Sequence, residues 1–273
     1  MKVLNYLFVL FSVLNVFSQE GKYIGMYGER FKINETVMLF GDNVRLREEP
    51  NMNAKVLKTL KIGEEVTVLS SGIEDEKPIP DNEIVWEWYK VKYKNIEGYV
   101  YESLLSLDYK VYDKDLYLVS IRKDKNKNDK VVVRLFNKET NKYEENSSFL
   151  GSATTFKIRV FGNKGLKNIK SIFLVDAIAE ACGVDGGGVY WFNDGSLKKG
   201  IAFSSFADGG SWFEEKIVFP NDKEGVEDKI VFIREVGETI DYKKDYIKKT
   251  VESCAFDWEG EEIKFEIEDK KDH

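Results

Sequence analysis

Histidine occurs once in the 273 residues, as His273. Chain ends are poorly ordered by default, so no Ser–His or Cys–His pair is expected within the fold, nor a triad hydrolase. Histidine-bound zinc is excluded on the same count, and two cysteines alone make a poor structural site. Those two, Cys182 and Cys254, leave a single disulfide open alongside burial as small apolar side chains. No P-loop and no GxGxxG motif is present, so no nucleotide cofactor is expected. Carboxylates are the remaining route to chemistry, since a pair of them can hydrolyse a glycoside. Among the 48 acidic residues, Glu180, Asp185, Asp194, Asp208, Glu214 and Glu215 cluster in sequence near Trp191 and Trp212, which would line a sugar cleft. Asp222, Glu224 and Asp228 surround Gly225, but Pro220 stands where a calcium loop needs its first acid, so a bent strand connection is expected there. No metal site is expected.

The net charge is −7, and Lys is interleaved with Asp and Glu, as in 123–130. That balance argues against nucleic acid, whose phosphates need clustered Lys and Arg. At the start, Lys2 precedes an apolar run from Val3 to Phe17, and Val16 and Ser18 sit three and one positions before Gln19. A positive start, an apolar stretch and small residues before a cut describe a secretory signal over residues 1–18. The run is shorter than the roughly 20 residues that span a bilayer. We therefore expect an exported protein, periplasmic or extracellular, with no transmembrane segment in the mature chain. No Cys follows the run, so no lipid anchor is expected at Gln19.

The elements that would position side chains read as strands. VVVRLF (131–136), GVYWF (188–192), KIVF (216–219), KIVFI (229–233) and IKFEI (263–267) are short β-branched and aromatic runs. Turns such as 136–142 and 192–196 have hairpin length. The fold class is all-β. Two stretches stay ambiguous between helix and strand, 167–181 and 241–253. A faint repeat pairs Phe161, Asn163, Gly165 and Asn168 with Phe219, Asn221, Gly225 and Asp228. It fits a duplicated unit or merely two similar hairpins.

Residues 43–105 carry the most specific pattern. Asn43, Val44, Arg45 and Arg47 open it, with Pro50 in the following turn. Gly63 precedes Val66 and Val68, then come Trp88, Lys90 and Val91, then Gly98, Tyr99 and Val100. This resembles the bacterial SH3 domain family, over about a quarter of the chain. The departure is a long insertion at 70–86. Alternation places Tyr89, Val91 and Tyr93 on one face and Trp86, Trp88, Lys90 and Lys92 on the other. By the resemblance, the barrel binds an extended peptide along an aromatic groove, with Trp88 as its wall and Trp86 and Tyr101 beside it. The other reading of these rings is simple packing.

The expected organisation is a signal at 1–18, an extension at 19–36, and an SH3-like barrel at 37–108 with a core of its own. A larger β-rich domain follows at 109–267, a sandwich or propeller-like fragment, and then a charged tail at 268–273. The expected function is a non-catalytic binding or adaptor protein of the cell envelope. Its partner would be a peptide, peptidoglycan or an envelope protein. The alternative is a carboxylate-dependent glycan hydrolase that the SH3-like domain targets to the wall.

Overall fold

The computed structural model describes residues 24–25, 30–74, 87–123, 126, 128–241 and 246–263. The signal, the charged tail and Trp86 lie outside these. The described residues form three antiparallel sheets and one 3₁₀ turn, with no α-helix among them. The all-β reading holds.

The first sheet holds β2 (Thr36–Met38), β3 (Val44–Arg47), β4 (Val56–Leu60), β5 (Glu65–Val68), β6 (Ile73–Glu74), β7 (Glu87–Tyr93) and β8 (Ile96–Tyr101). Its order is β2-β5-β7-β8-β3-β4, and β6 adds to β7. Val44, Leu46, Val66, Val68, Tyr89, Val91 and Val100 point inward and are fully buried. The motif residues explain the geometry. Asn43 takes a left-handed turn, φ 55°, a conformation that Asn tolerates better than most side chains. Gly98 lies where β8 crosses β3; a Cβ there would sit 2.6 Å from the Arg47 carbonyl oxygen. Arg47 itself is buried and donates to the Ala54 carbonyl at 2.7 Å, bracing the loop between β3 and β4.

The second sheet is a meander of β9 (Asp108–Tyr112), β10 (Asp115–Lys123), β11 (Asp129–Asn137) and β12 (Lys142–Phe149). The third has the order β1-β13-β14-β15-β16-β17-β18-β19. Here β1 is Ile24–Gly25, β13 Thr155–Phe161, β14 Ser171–Ile178 and β15 Gly186–Asn193. They are followed by β16 (Leu197–Asp208), β17 (Ser211–Val218), β18 (Ile230–Asp241) and β19 (Tyr246–Phe256). Among the described residues, both ambiguous stretches contribute strands. The first yields β14, six of whose eight residues are buried, so a continuous apolar run reflects burial on both faces. The second yields β19, paired with β18 along its length.

Apolar packing does not stop at residue 108. In the segment Val37–Phe40, Val37 and Leu39 join the core of the first sheet. Met38 and Phe40 turn the other way, packing with Ile62 against Leu116, Leu118, Val132 and Phe136 of the meander. The main core then continues through Tyr117, Val119, Val131 and Val133 to Phe156, Phe173, Val175 and Trp191. Tyr117 and Phe173 stack between the second and third sheets, centroids 4.6 Å apart. The Tyr117 hydroxyl, pushed up to about 12 by burial, meets Ser171 Oγ at 2.8 Å.

The two echoed segments lie side by side. The Asn221 amide donates to the Lys164 carbonyl at 3.0 Å, and Lys164 Nζ donates to Asp222 Oδ1 at 2.6 Å. Asn168 and Asp228 share the same left-handed backbone, φ 62° and 60°.

The disulfide left open by the sequence is not formed. Cys182 and Cys254 are both free and exposed. Cys182 lies in the turn between β14 and β15, whereas Cys254 faces Phe232 across the far hairpin β18–β19.

Candidate functional site

The outer face of the hairpin β7–β8 gathers the residues singled out in the SH3-like segment. Trp88 pairs with Tyr101, Lys90 with Tyr99, and Lys92 with Glu97, so the side chains on this face run from aromatic to charged. The Trp88 and Tyr101 rings meet edge to face, centroids 4.9 Å apart. Ile73 of β6 pairs with Trp88, and Tyr99 and Leu104 pack against the two rings.

This corrects the exposure expected of Trp88. Its accessibility is 1% and that of Tyr101 is 6%, so both are packed rings and not open groove walls. The inward alternation of Tyr89, Val91 and Tyr93 holds. Trp88 is buried on the opposite face because Tyr101, Tyr99 and Leu104 pack around a position that alternation alone assigns to solvent. Its indole Nε1 is buried with no hydrogen-bond partner among the described residues, an arrangement that costs free energy.

What stays accessible is the rim. Tyr99 is half-buried, and Lys90 and Glu97 pair at 2.8 Å with 38% and 49% exposure. Each raises or lowers the other's proton affinity through that hydrogen bond, Lys90 upward and Glu97 downward. Tyr99 enters the sequence pattern only beside Gly98 and Val100, yet its spacing from Tyr101 puts it on the same face.

Beside the aromatic pair lies a buried ionic group. Arg30 Nε contacts Glu102 Oε1 at 2.9 Å, and Glu102 is only 4% exposed. Burial raises the Glu102 pKa, Arg30 opposes this, and Glu87 reinforces it. The Tyr89 hydroxyl donates to Glu87 Oε2 at 3.1 Å, and Phe31 stands edge-on to the Tyr89 ring at 5.1 Å.

The third sheet holds a separate cavity of about 240 Å³. Phe149, Leu150, Val189 and Phe203 supply apolar lining, and Asp185 and Glu215 supply carboxylates. Glu215 Oε2 accepts from the Ser204 amide at 2.7 Å and hydroxyl at 2.8 Å. Asp185 Oδ2 accepts from the Ser152 amide at 3.0 Å and hydroxyl at 2.8 Å. The tryptophan-lined cleft expected around the acidic cluster is not formed. Trp191 is fully buried, and the Trp212 ring covers Gly237. Of the other acids, Asp194 is tied to Lys198 at 2.6 Å, and Glu180, Asp208 and Glu214 do not line the cavity.

Around Gly225, Asp222 is taken by Lys164 and by the Phe219 amide, and Asp228 by Lys167. Among the described residues no group of three side chains could hold a metal ion. No helix among them is long and apolar enough to cross a membrane.

No curated protein and no solved structure matches the chain. The model of the bacterial SH3 domain family matches residues 42–106, which run from the turn before β3 to the end of β8 and the 3₁₀ turn after it. Strand β2 lies before the match, yet it pairs with β5 and completes the same sheet. The first sheet of this protein is thus the sheet of a bacterial SH3 domain.

Proposed function

We propose that this is an exported, non-catalytic binding protein of the cell envelope, whose SH3 domain holds a peptide of the peptidoglycan or of an envelope partner. The family match over residues 42–106 carries the reading, because bacterial SH3 domains bind peptide or cell-wall ligands. The contact surface is the accessible rim of the β7–β8 face, with Tyr99 as its aromatic anchor and Lys90 and Glu97 as its charged pair. Tyr is among the residue types enriched at interface hot spots, which sit in well-packed surroundings. The leader-like residues 1–18 support export.

Co-sedimentation of residues 19–273 with purified peptidoglycan tests this. Binding is expected, and Tyr99→Ala is expected to weaken it by about tenfold or more, the scale of a hot-spot side chain. Binding to neither intact peptidoglycan nor its soluble stem peptides would reject peptidoglycan as the ligand.

A second reading, glycan hydrolysis, has one observation in its favour: Asp185 and Glu215 line the same cavity. Release of soluble sugar from peptidoglycan, lost in Glu215→Gln, would support it over the binding role.

A further inference from the structure

The two ends of the eight-stranded sheet are treated differently. At one end the chain covers its own edge, since Ile24–Gly25 pairs with Phe156 and Thr155 of β13. At the other end, β19 pairs among the described residues with β18 alone. Residues 247–255 are exposed without interruption. Ile247 and Val251 on β19 are 50% and 55% exposed, with Val236 and Ile240 on β18 close behind. A long edge strand that carries apolar side chains is a template for another strand. No proline interrupts β19, and the register shift in the hairpin is confined to its end, at Thr239/Asp241.

The side chains specify which strand fits. Residues 248–252 read Lys-Lys-Thr-Val-Glu. Laid antiparallel on a copy of itself about Thr250, this segment sets Lys248 of each chain opposite Glu252 of the other and Thr250 opposite Thr250. Opposite charges and Thr–Thr pairs facing each other are favourable cross-strand combinations. A parallel pairing would face Lys248 with Lys248. Moving the axis half a residue, so that Lys249 meets Glu252, would draw on a lysine already bound to Glu235 at 2.5 Å. In the hairpin Lys248 stands opposite Glu238 and Glu252 opposite Arg234, but Lys249–Glu235 is the ion pair this hairpin shows among the described residues, and Lys248 and Glu252 are both exposed. Two-fold pairing of one patch with itself is also the commonest way for a chain to close an assembly.

We propose that β19 is a homodimerisation edge. Two copies join antiparallel through a two-fold axis at Thr250, and the third sheet continues from one protomer into its partner. The proposal is independent of the SH3 reading.

Sedimentation velocity of residues 19–273 across the micromolar range is expected to show a reversible dimer. Lys248→Glu sets like charges across the axis twice and is expected to weaken the dimer by tenfold or more. The double change Lys248→Glu with Glu252→Lys is expected to restore it. In a Cys182→Ser, Cys254→Ser background, Thr250→Cys is expected to give a disulfide-linked dimer on oxidation, because the axis brings position 250 against itself. A chain that stays monomeric over this range would overturn the proposal. So would a dimer indifferent to Lys248→Glu, or a charge swap that fails to restore association while circular dichroism shows native strand content.

Discussion

Trp88 and Tyr101 face each other across β7 and β8, their rings edge to face at 4.9 Å, on the side of the hairpin turned away from the SH3 core. A buried pair outside the main core stiffens the strand that carries Tyr99, and so separates the residues that hold the face from those that can meet a ligand.

That division can be measured by denaturation in urea. Trp88→Ala removes a fully buried ring and is expected to cost about 3–5 kcal/mol of stability. Tyr99→Ala is expected to stay within about 1 kcal/mol of the parent, as partly exposed positions usually do. Equal losses would show that Tyr99 holds the face as firmly as Trp88 does.

The contact between the SH3 sheet and the meander should make the two unfold together. The Arg134 guanidinium lies between the rings of Phe40 and Tyr143, each 4.4 Å from its carbon, and donates to the Phe40 carbonyl. Gly63 turns at φ 75°, where a Cβ would lie 3.0 Å from Leu116. Phe40→Ala is expected to cost about 3–5 kcal/mol and to lower the midpoint of one shared transition. Two separate calorimetric transitions, only one of them moved, would show that the contact does not couple the units.

Two carboxylates should give stability opposite dependences on pH. Burial acts to raise the Asp222 pKa, but hydrogen bonds from Lys164 and the Phe219 amide outweigh it, so the pKa is lowered on folding. Its contribution is therefore present above the ordinary carboxylate pKa and lost as pH falls through the folded value. Glu102 is raised, by burial first, so the folded state holds its proton more tightly than the unfolded chain. Its contribution is greatest below the ordinary value and declines as pH rises through the folded one. Asp222→Asn is expected to flatten the acid limb of the stability profile. If the acid limb of that variant stays as steep as the parent's, the Lys164 contact contributes nothing.

Much of the SH3 domain was legible because its constraints are local. Asn43 is suited to a left-handed turn, Gly98 to a strand crossing, and the Tyr89, Val91, Tyr93 alternation to one buried face. The burial of Trp88 was not legible, since the side chains packed around it, Tyr101 and Leu104, lie beyond its own strand. Nor was the continuous core. Val37–Phe40 is apolar at four successive positions, a sign of burial on both faces. Met38 and Phe40 reach past residue 108 to pack against the meander. For the same reason β14 looked half-helical: strict alternation disappears once both faces of a strand are covered. In the third sheet the acids Asp185 and Glu215 stood out by type, but only the pairing of β15, β16 and β17 sets them around one cavity.

The most direct test of the binding role is a titration of isotope-labelled residues 19–273 with soluble peptidoglycan stem peptides, followed by amide and indole NMR shifts. The account expects saturable shifts at Tyr99, Lys90 and Glu97 and at the Trp88 indole, with the third sheet unmoved. Shifts confined to Asp185, Ser204 and Glu215, or none at all, would contradict it.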